Sequence, residues 1–219
     1  MYRLLFEKKG NAIWISHLDL MRLFQRAFKR ADLPLTHTQG YNPRPSVSIA
    51  LPLSVGIESR CELLDFDLDG DCVAPDEICA RLNHVLIDGI RVLKVYTDGR
   101  KLRDLALLRS VLTFEYDSGI PDHAVEALTN LFNRSAVIVP KRTKNGMQDQ
   151  DLMPMIRSIS VVPNNDRELS VNLLACCQNP TLNPTQLVAA VNMYAPEFTP
   201  DFANCIRIEI YDTQGTVFR

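Results

Sequence analysis

The sequence lacks long hydrophobic runs and the cysteine spacings that are typical of metal centres. It contains no stretch of about 18 apolar residues and therefore predicts no membrane span. Its N-terminus places Lys8 and Lys9 after the apolar residues, unlike a signal peptide, so we expect a soluble cytoplasmic protein. The six cysteines form no Cys-x2-Cys pair that could hold zinc or an iron–sulfur cluster. Because several lie in apolar runs, as Cys176 and Cys205 do, we predict reduced core thiols and no metal or cofactor in this chain.

Charge is moderate in amount but unevenly distributed along the chain. The net charge of −2 argues against indiscriminate nucleic-acid binding. Residues 1–60, however, carry nine Lys and Arg against four Asp and Glu, whereas residues 61–98 carry three against nine. Residues 99–145 carry eight against five, and residues 146–219 four against eight. This asymmetry is compatible with a cationic face on an acidic protein, and also with charges that merely solvate different surfaces.

The hydrophobic periodicity predicts two similar halves. A chain of 219 residues with 46% hydrophobic content can bury one large core or two small ones. In the first half we predict a strand or hairpin at 2–6 and 12–15, a helix at 17–31, strands at 46–51 and 61–68, a helix at 75–86 and a strand at 90–96. The second half predicts a strand at 109–116, a helix at 121–133, a strand at 136–141 leading into a polar excursion at 141–151, a hairpin at 155–162 and 168–176, a helix at 184–194 and a strand at 204–211.

This order predicts an α+β fold made of two tandem ferredoxin-like β-α-β-β-α-β sandwiches with antiparallel sheets. The first domain is expected at 1–98, and the second, degenerate one at 105–219. A charged connector at 98–104 separates them.

The first helix is strongly amphipathic. Its apolar face contains Leu20, Phe24, Ala27, Phe28 and Ala31, and its other face contains Arg22, Arg26, Lys29 and Arg30. Four cations on one face repel one another unless an anion lies opposite. RNA phosphates or an acidic partner surface could supply that anion, and a simply solvated face remains an alternative.

A stiff, cationic loop, Gly-Tyr-Asn-Pro-Arg-Pro at 40–45, follows that helix. Pro43 and Pro45 fix the backbone on either side of Arg44, which is thereby presented with little entropy left to lose on binding. Tyr41 offers a stacking face and Asn42 an amide, and Gln39 precedes them. The combination suits an oligonucleotide or a phosphorylated ligand, and it also suits rigid packing of the loop over the sheet.

His17 is a second candidate, because a histidine in the first turn of a helix can act as an acid, a base or a phosphate donor. Ser16 is predicted to cap this helix, with Asp19 at its third position. The helical wheel places His17 nearer Met21 and Phe24 than the arginines, which favours a structural, partly buried histidine. We expect that Asp19 and the loop at 41–44 could converge on it.

Three motifs together carry a family resemblance: Ser-His-Leu-Asp at 16–19, Gly-Tyr-Asn-Pro-Arg-Pro at 40–45 and Leu-Pro-Leu-x-x-Gly at 51–56. The sequence resembles the radical S-adenosylmethionine-linked proteins, an uncharacterised bacterial domain family found beside or fused to a radical S-adenosylmethionine enzyme. The resemblance is specific over about residues 1–70. It implies a partner enzyme that carries an iron–sulfur cluster and S-adenosylmethionine, and it implies no catalytic residue here.

Two classes of function, with a third alternative, follow from these features. The first is a non-catalytic module that binds or presents RNA for a radical S-adenosylmethionine enzyme in RNA modification. Its expected binding residues are Arg22, Arg26, Lys29, Arg30, Gln39, Tyr41, Asn42 and Arg44. The second is a metal-independent, repeat-associated type of RNA endonuclease with His17 as general acid or base, although the chain lacks the glycine-rich loop of such enzymes near its C-terminus. The third is a protein-only adapter.

Overall fold

The chain forms two compact units in a computed structural model that describes residues 1–143, 146–178 and 180–219. Unit 1 comprises residues 1–104 together with 217–219, and unit 2 comprises residues 105–216. The sequence interpretation had placed 217–219 in the second domain. In the structure these last three residues pack within unit 1.

Unit 1 contains four strands and two α-helices within its described residues. They are β1 (Tyr2–Lys8), α1 (His17–Arg30), β2 (Val47–Ile49), β3 (Ile57–Phe66), α2 (Pro75–Val85) and β4 (Ile90–Tyr96). Strand β1 lies between β4 and β3, and β2 pairs with the other edge of β3. Every pairing is antiparallel. The element order is therefore β-α-β-β-α-β, with the strands arranged β4-β1-β3-β2.

One predicted element of unit 1 is wrong. The segment 12–15 was expected to be a strand, but Gly10–Trp14 is a 3-10 helix. Its four consecutive apolar residues are compatible with a short strand, but so short a run does not exclude a tight helical turn. The backbone nitrogen of Ala12 donates to the Lys9 oxygen at 3.2 Å, and Ile15 donates to Ala12 at 3.0 Å. The turn thus leads the chain directly into α1.

The core of unit 1 lies between its two helices and one face of the sheet. Phe6 of β1 meets Phe24 of α1 edge-on, with ring centroids 4.8 Å apart. Phe28 packs against Phe66 of β3 at 4.7 Å. Ile78 of α2 is fully buried in the same cluster. Since these aromatic side chains fix one face of α1, its cationic face points away from the core.

The C-terminal residues close unit 1 around a buried arginine. Arg3 is almost completely buried and makes a bidentate pair with Asp65, at 2.6 and 2.9 Å. Its guanidinium carbon lies 5.5 Å from the centre of the buried Phe218 ring, and that of Arg100 lies 4.7 Å away. Packing of Phe218 against these two guanidinium groups explains why 217–219 belong to unit 1.

Unit 2 contains six strands and two α-helices within its described residues. They are β5 (Leu105–Glu115), α3 (Ala124–Phe132), β6 (Ile138–Thr143), β7 (Gly146–Asp151), β8 (Ile156–Pro163), β9 (Glu168–Cys176), α4 (Gln186–Tyr194) and β10 (Phe202–Asp212). Four strands form an antiparallel sheet in the order β10-β5-β9-β8, and β6 pairs only with β7. The polar excursion expected at 141–151 is therefore partly a hairpin. Lys144 and Asn145, which belonged to that expectation, lie outside the described residues.

The coarse fold is a mixed α+β structure in which the described strand pairings are antiparallel and the described α-helices number four. The finer assignment, a tandem of two ferredoxin-like sandwiches, stays a prediction. Among the described residues, no helix is both long and apolar enough to cross a membrane.

Candidate nucleic-acid interface

The start of α1 is fixed by its own polar residues. Ser16 is the N-cap, and its hydroxyl oxygen accepts a hydrogen bond from the backbone nitrogen of Asp19 at 3.2 Å. The same hydroxyl donates to the Asp19 carboxylate at 2.7 Å, and Arg22 donates to that carboxylate at 3.0 Å. These bonds, led by that from Ser16, lower the pKa of Asp19 below its ordinary value. The predicted cap is confirmed.

Asp19 gives a pH-dependent prediction. Because its folded-state pKa is lowered, its contribution to stability is present above the unfolded pKa of about 3.9 and is lost as pH falls through the folded value. Asp19→Asn is expected to lower the midpoint of thermal unfolding near neutral pH, and the difference from wild type is expected to shrink below about pH 3. Asp71→Asn, at an exposed aspartate, is the control. A difference for Asp19→Asn that does not change with pH would contradict the assignment.

A buried lysine holds the segment that enters α1. Lys8 is 1% exposed, and its Nζ donates to the carbonyl oxygens of Ile13 at 3.2 Å and Ile15 at 2.9 Å. The nitrogen of Gly56 donates to the Ile13 oxygen at 3.0 Å. Gly56 has a positive φ of 85°, and a Cβ there would meet Trp14 at 3.4 Å. The glycine of the 51–56 motif therefore has a structural role, since it supports the approach to α1.

The cationic face of α1 lines an open groove of about 850 Å³, which we call the basic groove. All four predicted helix cations are exposed there. The apolar part of the groove lining consists of Ile15, Leu23 and Ile87, and Ile87 lies in the turn between α2 and β4. The groove residues are Ile15, Asp19, Arg22, Leu23, Arg26, Lys29, Arg30 and Ile87. The helix face is thus one side of a concave surface.

The four cations differ in the ion pairs and hydrogen bonds that they make within the protein. Arg22 pairs with Asp19, although both side chains are about two-thirds exposed (66% and 60%). Arg30 donates to the backbone oxygen of Val85 at 2.6 Å, so it also ties α1 to the last residue of α2. Arg26 and Lys29 make no ion pair with any residue that the structure describes. Their charge is therefore available to an external anion.

The loop after α1 is closed at its base and exposed at its tip. The Thr38 nitrogen donates to the Arg44 oxygen at 2.8 Å, and the Arg44 nitrogen donates to the Thr38 hydroxyl at 3.0 Å. His37 and Pro45 form an antiparallel bridge just below. The Tyr41 side chain is fully exposed, at 101% of its reference area. The remaining predicted loop residues, Gln39, Asn42 and Arg44, are exposed as well.

A smaller pocket of about 380 Å³, which we call the loop pocket, lies between the base of the loop and the C-terminal half of α1. Lys29 borders both this pocket and the basic groove. The structure therefore brings the loop to the same end of α1 as Lys29. The lining residues are Gln25, Phe28, Lys29, Asp32, Leu33, Pro34, Leu35, His37 and Pro45.

His17 lies at the opposite end of α1. It is the first helical residue and is half-buried. Twelve residues separate it from Lys29, which corresponds to about 18 Å along the helix axis. The expected convergence of His17 with the loop is not what the structure shows, because the loop base contacts the surroundings of Gln25 and Lys29 instead.

Sequence reasoning missed the groove wall contributed by the turn before β4. Gly89 has a positive φ of 84°, and its oxygen accepts from the Lys9 nitrogen at 2.9 Å. A Cβ at this position would overlap the Lys9 backbone oxygen and would lie 2.9 Å from the Ala12 Cβ. This close approach fixes the turn that carries Ile87. The Asp88-Gly89 dipeptide is a turn signal, but it gives no indication of which helix the turn faces.

No group of three or more His, Cys, Asp or Glu side chains that could hold a metal ion occurs in the part of the chain that the structure describes. Burial raises the pKa of Cys205 to about 12 and that of Cys177 to about 11. Both thiols are buried. They therefore match the core thiols expected from the sequence, whereas Cys176 is only partly buried and Cys72 is exposed.

A protein-family model matches residues 1–184, which include the whole of the basic groove and the loop. The model describes DUF2344, an uncharacterized protein conserved in bacteria. The chain belongs to this family. No curated protein matches the chain. The DUF2344 assignment carries no link to radical S-adenosylmethionine enzymes.

Two solved structures similar to this DUF2344 chain come from larger proteins. The crystal structure of a Cbf5–Nop10–Gar1 complex aligns with a TM-score of 0.54 at 7% identity, over 95% of this chain and 48% of that one. The structure of an H/ACA RNP bound to a substrate RNA containing 2′-deoxyuridine aligns with a TM-score of 0.49 at 6% identity, over 94% and 46%. This chain spans about half the length of either match. The first likeness shows similarity of fold alone, and the second carries no argument.

Proposed function

We propose that this chain is a non-catalytic RNA-binding module that presents RNA to a separate enzyme. The observation that carries the proposal is the basic groove. Arg26 and Lys29 are exposed there and make no ion pair within the described residues. Arg22 pairs with the exposed carboxylate of Asp19. Uncompensated cations in a concave surface attract a polyanion, and counterion release from phosphates supplies the free energy.

The placement of the cations favours an extended strand of phosphates over a single small anion. Arg22, Arg26 and Lys29 lie at intervals of four and three residues, so they span about 10 Å along α1. The base of the loop lies beside Lys29. Its exposed Tyr41 ring can stack on an unpaired base, and Arg44 can reach a further phosphate.

The enzyme that receives the RNA is proposed to be a radical S-adenosylmethionine enzyme engaged in RNA modification. The motifs at 16–19, 40–45 and 51–56 support this partner. Affinity purification of the tagged chain from a bacterial lysate is expected to recover such an enzyme in a nuclease-sensitive manner if RNA joins the two. Recovery that persists after nuclease treatment would favour the adapter, in which the basic groove meets acidic residues of the enzyme.

We also propose that both units are ferredoxin-like. The order β4-β1-β3-β2 in unit 1, with α1 and α2 packed in one core against the sheet, supports this proposal. In unit 2 the order β10-β5-β9-β8 repeats the arrangement, with the β6–β7 hairpin inserted after α3.

The proposed function is tested by fluorescence anisotropy of a labelled single-stranded RNA at several salt concentrations. Four phosphate contacts, from Arg22, Arg26, Lys29 and Arg44, predict a slope of log affinity against log salt of about −2.8. Affinity is then expected to fall about 50-fold between about 50 and 200 mM salt. Products are inspected on a gel in the same experiment. Absence of binding at low salt, or cleavage of the RNA that His17→Ala abolishes, would overturn the proposal.

Arg44→Ala is expected to weaken RNA binding severalfold and to reduce the salt slope by about 0.7, because one phosphate contact is lost. The fold is expected to stay intact, since Thr38 is held by backbone atoms of residue 44 that alanine retains. Circular dichroism checks that the fold is intact, and anisotropy titrations measure the affinity and the salt slope. Arg60→Ala, at an exposed cation of β3 outside the groove, is the matched control. A variant that fails to fold would instead assign Arg44 a structural role.

A further inference from the structure

The loop pocket has the chemical character of a site for a flat, partly apolar group. Phe28, Leu33 and Leu35 close its base and are 0%, 1% and 8% exposed, so its accessible apolar surface comes mainly from Pro34 and Pro45. Its polar lining residues are Gln25, Lys29, Asp32 and His37. A volume of about 380 Å³ lies at the small end of the range for organic ligands, so it suits one ring system with its substituents.

The loop pocket adjoins the basic groove, where the RNA phosphates are proposed to bind. Lys29 lies at the border between the loop pocket and the basic groove. It makes no ion pair within the described residues, so its ammonium group can contact a phosphate at that border, whereas the exposed carboxylate of Asp32 disfavours a phosphate deeper in the pocket. A ligand that fills the pocket is therefore expected to carry a phosphate at its edge and to continue along α1.

We propose that the loop pocket takes one unstacked nucleobase of the single-stranded RNA whose phosphates follow the basic groove. This inference rests on the proposed function and deepens it, because it states which part of the RNA enters a pocket and which part follows the cationic helix face. The accessible apolar surface of Pro34 and Pro45 is expected to accept the faces of the base. The amide of Gln25 and the imidazole of His37 are the groups placed to hydrogen-bond its edge.

The backbone around the loop supports a preformed site. The bridge between His37 and Pro45, together with the two hydrogen bonds between Thr38 and Arg44, closes the loop base above the pocket. The Ser46 nitrogen also donates to the Thr36 oxygen at 2.8 Å. Since these bonds hold the base of the loop together, entry of a base is expected to require little ordering of the loop.

The experiment compares an octauridylate with an abasic ribose-phosphate chain of the same length, so that the phosphates are matched and only the bases differ. Wild-type protein is expected to bind the octauridylate about tenfold more tightly than the abasic chain, because a bound base adds to the phosphate contacts. Gln25→Trp places a large side chain at the rim and is expected to remove most of that difference while leaving the salt slope unchanged. Ala80→Trp, at an exposed position of α2, is the matched control and is expected to keep the difference.

A second measurement requires no variant. A 2-aminopurine in an otherwise uridine octamer, moved through each position in turn, reports transfer of the base from water to the pocket as a change in emission. One position is expected to change more than the others when wild-type protein is added.

The outcomes separate the two proposals. If both chains bind equally and with the same salt dependence, the pocket inference is overturned and the proposed function stands. A tenfold difference that Gln25→Trp leaves intact also overturns it, because the base contact then lies elsewhere. If neither chain binds, the proposed function fails and the inference fails with it.

Discussion

Reversing the charge of Arg22 and Arg26 together, by Arg22→Glu and Arg26→Glu, is expected to weaken RNA binding at low salt by tenfold or more. The change removes two of four phosphate contacts and adds two anions to the basic groove, so the salt slope is expected to fall from about −2.8 to about −1.4. Between about 50 and 200 mM salt the variant would then lose only about sevenfold in affinity, against about 50-fold for wild type. Anisotropy titrations at several salt concentrations measure both quantities.

The matched control alters net charge by the same amount elsewhere. Arg157→Glu with Arg167→Glu changes two exposed arginines of unit 2, one in β8 and one before β9. If RNA responded only to net charge, this control would weaken binding as much as the groove variant does. An unchanged affinity and slope for Arg22→Glu with Arg26→Glu would rule out the basic groove as the RNA site.

Gly89→Ala is expected to destabilise unit 1 by about 4 kcal/mol, which is large for a single added methyl group. Two costs combine. The φ of 84° belongs to the left-handed region that side chains disfavour, and the new Cβ would overlap the Lys9 oxygen and approach the Ala12 Cβ to 2.9 Å. Relief of the overlap requires the turn with Ile87 to move away from Gly10–Trp14, so RNA affinity is expected to fall as well.

Gly70→Ala separates the two costs. Gly70 has a similar φ of 90°, but a Cβ there meets no atom within 4 Å. Gly70→Ala is expected to lower the free energy of unfolding by about 1–2 kcal/mol, which is the contribution of the unfavourable φ alone. Equilibrium unfolding in urea compares the variants. Equal losses for both glycines would show that the close approach at Gly89 contributes nothing to stability.

The parts of this structure that depend on local pattern were predictable from the sequence. The helix over His17–Arg30 follows from a regular apolar stripe and a serine cap, and both features act over a few residues. The exposed loop follows from the fixed φ of its two prolines. The hairpin expected at 155–162 and 168–176 appears as β8 and β9, which pair along their length, because alternating apolar residues flank a polar turn.

The parts that depend on distant contacts were not predictable. Ile87 lies far from α1 along the chain. The approach of Gly89 to Lys9 and the hydrogen bond from Arg30 to the Val85 oxygen bring it to the groove. Predicting the loop pocket would require knowing which residues the loop base packs against, and hydrophobic periodicity does not give that information. The segment at 10–14 shows the same limit, since its tight turn is stabilised by buried Lys8 rather than by its own pattern.

The most direct test of the central claim is cross-linking of a 4-thiouridine-containing single-stranded RNA to the full chain, followed by peptide mapping. Cross-links are expected within residues 15–45, at both α1 and the loop, and they are expected to disappear when salt is raised. Cross-links confined to residues 105–216, with none on α1 or the loop, would contradict it.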